Sequence, residues 1–155
     1  MELSELLEKF GKSSGLDVCN LDDEGVCRLV FDGNLTVDIE QGEDKATCLM
    51  YGLAGPLPPE PEALMRRMLG ANLFVSDTGD AVVGLDNTLD QIIILLRCQL
   101  THMEYDEFER ILTGFIDQLE YWIESLSPDS ESEMDTGVEA ADPGPFPGRE
   151  GFIRA

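Results

Sequence analysis

Apolar residues recur near the start of the chain at Leu3, Leu6, Leu7 and Phe10, the i, i+3, i+4, i+7 spacing of one helical face. Glu2, Glu5 and Glu8 fall off that stripe, two of them in the first turn, where the helix dipole favours acids. Gly11 and Gly15 close the pattern, which predicts a helix over residues 2–13. The period then changes to two. Cys27, Leu29 and Phe31 share one face of a strand over Val26–Phe31, and Leu35, Val37 and Ile39 share one face of a second over Leu35–Ile39. A two-residue turn would set Phe31 beside a polar residue. A three-residue turn, Asp32-Gly33-Asn34, instead pairs Phe31 with Leu35, Leu29 with Val37 and Cys27 with Ile39, so all six share a face. Gly42-Glu43-Asp44 turns the chain into a third strand, Ala46–Leu53, giving an antiparallel meander.

Pro56, Pro58, Pro59 and Pro61 form a stiff connector. A second helix is predicted over Glu62–Leu73, with Leu64, Met65, Met68, Leu69 and Leu73 covering a broad face. Such breadth in so small a domain predicts a dimer. Ala81–Leu85 and Gln91–Leu96 read as two further strands around an Asp86-Asn87 turn. The run from Ile92 to Leu96 does not alternate, which predicts that both its faces are covered, as in a central strand or one at a subunit interface. Thr101-x-x-Glu104 has a capping-box pattern. It precedes a third helix to about residue 126, with Tyr105, Phe108, Ile111, Leu112, Phe115, Leu119, Trp122 and Leu126 at helical spacing. The order α-β-β-β-α-β-β-α predicts an α+β fold, a sandwich of helices on an antiparallel sheet.

Composition changes after Leu126. Residues 127–155 hold seven acids, two bases and four prolines, and no apolar period survives. They read as an acidic, Pro/Gly-containing disordered tail behind a domain of residues 1–126. Phe146, Phe152 and Ile153 are the apolar exceptions within its last ten residues. The whole chain has 32 acids against 10 bases, a formal charge of −22, with 43% hydrophobic residues. That balance suits a globular protein and argues against nucleic acid and anionic membranes as partners. No secretion signal is legible at the N-terminus. Cys19, Cys27, Cys48 and Cys98 form no CxxC pair, which points to a reduced, cytoplasmic protein.

Candidate chemistry is sparse. His102, the sole histidine, and Cys98 lack the partners a zinc site needs, and no metal or cofactor is expected. As a general base His102 would sit at a helix N-terminus, where a positive charge is disfavoured. Asp22-Asp23-Glu24-Gly25 lacks the ligand alternation of a calcium loop and reads as a solvated turn. Gly52-x-x-Gly55 runs into prolines, not into a phosphate-binding helix. The residues describe a non-enzymatic binding protein, and an acidic adaptor or inhibitor module fits that description too.

Three segments carry a more specific signal: LGANLF at Leu69–Phe74, Gly84-Leu85-Asp86, and an F-x-x-x-L-x-x-F-x-x-x-x-E-x-W arrangement from Phe108 to Trp122. In this order they resemble the class I type III secretion chaperones, the Tir-chaperone-like family of Gram-negative bacteria. The resemblance covers residues 1–126. It departs at Arg97-Cys98-Gln99-Leu100, where that family often has a proline. It implies a cytoplasmic homodimer that binds the N-terminal segment of a secreted effector without ATP, or a same-fold partner that sequesters a regulator of secretion. It further implies dimer contacts at Leu64, Met68, Leu69, Leu73 and Val83, and effector contacts at Leu3, Leu7, Leu29, Phe31, Leu35 and Val37.

Overall fold

A computed structural model describes residues 1–16, 19–31, 34–73 and 80–127. The apolar stripe at the start folds as α1 (Leu3–Ser14), with Leu3, Leu6, Leu7 and Phe10 buried. The Glu2 amide donates to the Glu5 carboxylate at 3.2 Å, satisfying one of the donors that a helix start leaves open. Three strands follow: β1 (Val26–Phe31), β2 (Leu35–Gln41) and β3 (Thr47–Pro56). The hairpin register is Phe31 with Leu35, Leu29 with Val37 and Cys27 with Ile39, the pairing that the shared apolar face requires.

β3 runs three residues past its expected end, because its ladder with β5 resumes after an irregularity between Leu53 and Gly55. Gly55 holds φ at +156° there, a conformation side chains rarely adopt. α2 (Glu62–Asn72) leads to β4 (Val82–Asp86), β5 (Gln91–Gln99) and α3 (Tyr105–Ser125). The sheet is antiparallel, in the order β1-β2-β3-β5-β4. The fold is α+β, with three helices and five strands among the described residues in the expected order.

Two local expectations are corrected. The capping box at Thr101 does not form. The chain turns at Thr101-His102, with His102 at φ +62°, and α3 starts at Tyr105 behind Glu104. The Thr101 hydroxyl instead accepts a hydrogen bond from the Gln99 side chain at 3.0 Å. The run Ile92–Leu96 is central, between β3 and β4, yet its burial alternates: Ile92, Ile94 and Leu96 are buried, Ile93 and Leu95 only half-buried.

The helices form one layer. α3 crosses the middle of the sheet against β3, close enough that a Cβ on Gly52 would collide with Leu119 Cδ2. Its start touches α1, where the Ser13 and Tyr105 hydroxyls are 2.6 Å apart. Its end meets α2, where the Arg67 guanidinium lies 4.6 Å from the centre of the Trp122 ring. Beneath this layer lies the core, with Trp122, Phe108 and Phe115 its largest fully buried members.

Candidate partner-binding surface

The opposite face of the sheet carries no helix among the described residues. Its cross-strand pairs are Leu53 with Ile93, Tyr51 with Leu95, and Val82 with Leu95, so an apolar band crosses β3, β5 and β4. Leu53 is 48% exposed, Val82 41% and nearby Leu89 58%. A shallow concavity of about 520 Å³ includes Leu53, Leu89, Ile93, Tyr51, Arg28 and Asp38 in its lining. Contiguous apolar surface of this kind marks sites of association.

One polar device borders the band. Arg28 Nε and Nη2 each donate to a different Asp38 oxygen at 2.7 Å. Asp38 is buried while Arg28 remains exposed, so the guanidinium both neutralises and covers the carboxylate. That hydrogen bond raises the Arg28 pKa further above its ordinary value. Tyr51 pairs across the strands with Asp38, and burial, then the Asp38 charge, pushes its hydroxyl pKa up. The phenol therefore stays neutral and able to donate at physiological pH.

A second surface lies at the β4 edge. Met65, Leu69 and Leu73 are spaced i, i+4, i+8 along α2 and its cap and face outward, Leu69 at 74% exposure and Leu73 at 60%. The Asn72 amide fixes this helix end. Its Nδ2 donates to the Val83 carbonyl, and the Val83 amide donates to its Oδ1, both at 2.9 Å. One side chain thus occupies the edge hydrogen-bonding groups that another strand would use.

The residues expected at partner contacts divide sharply. Leu3, Leu7 and Val37 are fully buried, Leu29 and Leu35 nearly so, and Phe31 half-buried. Leu3 and Leu7 face inward from α1, the other four lie on β1 and β2 toward the core, and together they present little surface in the folded subunit. Alternation placed them together but could not say which face met the helices. Of the expected dimer residues, Leu69 and Leu73 face out, Met68 and Val83 belong to the core, and Leu64 packs against it. The outer band at Leu53, Val82, Leu89, Ile93 and Leu95 went unsingled because each residue sits in or beside a strand whose inner positions are also apolar.

The polar candidates build structure instead. The Asp22 carboxylate accepts the Glu24 and Val26 amides at 2.9 Å, closing a turn before β1. Cys48 faces Cys98 across β3 and β5, both buried. The hydrogen bond to Cys98, together with burial, raises the Cys48 pKa. Burial pushes the Cys27 thiol up to about 12. His102 is exposed in its turn. Among the described residues, no three His, Cys, Asp or Glu side chains converge as metal ligands, and no helix is long and apolar enough to cross a membrane.

Among the described residues, the helices lie on one side of a five-stranded sheet and leave an apolar band on the other. Comparison with known proteins gives the family. Residues 5–123 match the model of the Tir chaperone protein (CesT) family, and the chain belongs to that family of type III secretion chaperones. A Chlamydia pneumoniae protein (CPj0713/CpB0740) is 28% identical over 127 residues, covering 80% of this chain and 95% of that one. The transcriptional anti-antiactivator ExsC of Pseudomonas aeruginosa is 23% identical over 137 residues, covering 88% and 94%. The same fold occurs in the ExsC–ExsE complex, with a TM-score of 0.70 at 22% identity, covering 83% of this chain and 98% of that one. It recurs in the HopA1–SchA chaperone–effector complex, with a TM-score of 0.64 at 18% identity, covering 77% and 91%.

Proposed function

We propose that the protein is a cytoplasmic homodimeric chaperone that binds the N-terminal region of a type III secreted effector and keeps it soluble and competent for secretion, without ATP. The open apolar face of the sheet carries this reading. A disordered effector segment can lie along it and pay its ordering entropy only on binding. Each large side chain it buries contributes about 1.5–3 kcal/mol. The Arg28–Asp38 pair and Tyr51 supply orienting polar contacts at the border. The outward stripe Met65, Leu69 and Leu73 serves as the dimer contact, and the high negative charge keeps a molecule with two apolar surfaces soluble. The chain's own residues 1–126 constitute the chaperone domain.

A same-fold regulatory role is the second reading, favoured by the similarity to a protein whose name is transcriptional anti-antiactivator. There the bound segment would belong to a regulator of secretion. Co-purification from the native cell, followed by calorimetry without nucleotide, tests both. The expected partner is a secretion substrate held through its first hundred or so residues, with a large negative heat-capacity change and weak salt dependence. A small regulator as the sole partner supports the second reading. Strict dependence on ATP contradicts both.

A further inference from the structure

We propose that Cys48 and Cys98 form a peroxide-sensitive dithiol, in which a hydroperoxide oxidises Cys98 and Cys48 then closes a reversible disulfide between β3 and β5. Three features of the pair support this, and none depends on the partner-binding role.

The first is register. Cys48 and Cys98 are directly opposed on neighbouring strands, and both face the core. Two positions along the same ladder, the Leu100 amide donates to the Ala46 carbonyl at 2.7 Å, so Cys48 and Cys98 occupy a hydrogen-bonded pair of the antiparallel ladder. Such pairs hold their Cα atoms about 5.5 Å apart, inside the span of roughly 4.4–6.8 Å that a disulfide bridges. The second is access. Cys98 forms part of the wall of a cavity of about 600 Å³ between β5 and α3. β4 pairs with β5 only as far as Leu95, so Cys98 lies beyond the paired stretch. The buried Gln118 Oε1 has no hydrogen-bond donor among the described residues and belongs to a side chain of the same wall, which leaves an acceptor for the O–H of a small hydroperoxide.

The third is asymmetry between the thiols. The hydrogen bond with Cys48 lowers the Cys98 pKa against the opposing effect of burial, and the same bond raises that of Cys48. Cys98 is therefore the thiolate and the attacking sulfur. It attacks one peroxide oxygen, the O–O bond breaks, and Cys98 becomes a sulfenic acid. The hydroxide that leaves takes up the proton Cys98 gave up. The Cys48 sulfur then attacks the Cys98 sulfur, the S–O bond breaks, and a second water departs with the Cys48 proton. Two thiols have lost two electrons and two protons, and one hydrogen peroxide has become two waters. A small dithiol reductant reverses the bond by exchange. In a reducing compartment such bonds are transient and act as sensors. Cys19 and Cys27 also hydrogen-bond to each other, but burial raises both, Cys27 to about 12, so neither supplies a thiolate.

The test treats the reduced full-length protein with hydrogen peroxide under native conditions, alkylates the remaining thiols and maps tryptic peptides by mass. Trypsin leaves Cys48 and Cys98 on separate peptides, 46–66 and 98–110, whereas Cys19 and Cys27 share peptide 13–28. The two separate peptides should appear joined, with the loss of two hydrogens, in protein that still migrates as a single chain without reductant. Dithiothreitol should release them, and peptide 13–28 should stay fully alkylated. Cys48→Ser keeps a hydroxyl donor beside Cys98 and should stop the reaction at a sulfenic acid on Cys98, trapped by dimedone. Cys98→Ser should leave Cys48 as a free thiol. Peptides 46–66 and 98–110 found unjoined and alkylated overturn the proposal. So do a bond that forms only in denaturant, a bond between Cys19 and Cys27 instead, and a crosslink between two chains. A dimedone adduct on Cys48 in Cys98→Ser, with none on Cys98 in Cys48→Ser, overturns Cys98 as the attacking sulfur.

Discussion

Asn72 shows how one side chain decides the use of an edge. Its amide satisfies both the N–H and the C=O of Val83, and so holds the end of α2 against β4. Asn72→Ala leaves both groups without that partner, and chemical denaturation should show a loss of about 1–3 kcal/mol. Cys27 sets an alkaline limit. Its thiol is pushed up to about 12 from an ordinary value of 9.0, chiefly by burial, so the native state holds its proton more tightly than the unfolded chain. Stability is therefore full below about pH 9 and falls as pH climbs toward 12. Melting temperatures across that range should decline, and Cys27→Ala should flatten the decline while lowering the plateau.

At the scale of the element, α2 has two apolar faces with opposite roles. Met68 is 7% exposed and Leu69 is 74% exposed, although they are neighbours in sequence. Leu69→Asp should keep the melt cooperative and yield monomers by light scattering. Met68→Asp should unfold or aggregate the protein, because it buries a charge without a partner. Gly52→Ala should cost about 1–3 kcal/mol by forcing Leu119 of α3 off β3. Elements of this kind were legible in the sequence. Period-2 alternation and the matching of Phe31 with Leu35 fixed the hairpin register, and the helical stripes fixed α1 and α3. The start of α3 was not legible, because Thr101 satisfies Gln99 across a tight turn rather than capping the helix. Nor was the orientation of the sheet. A period of two shows that Leu29 and Val37 share a face, but the identity of the covered face follows from where α1 and α3 pack, and that depends on long-range contacts.

At the scale of the whole molecule, the helix layer among the described residues leaves one sheet face without cover, and that face is apolar across three strands. Leu53→Asp should weaken binding of an effector segment by about 1.5–3 kcal/mol and leave the melt nearly unchanged, since that side chain is 48% exposed; Ile93→Asp should weaken binding likewise but also lower the melt, since Ile93 is half-buried in a central strand. Methyl-resolved NMR of the labelled full-length protein, titrated with an effector's N-terminal segment, reads the outer and inner faces separately. The Leu53, Ile93 and Leu95 signals should shift strongly while those of Leu7, Leu29 and Val37 stay near their free positions. Large shifts at Leu7, Leu29 and Val37, with Leu53 and Ile93 unmoved, would contradict binding at the outer face.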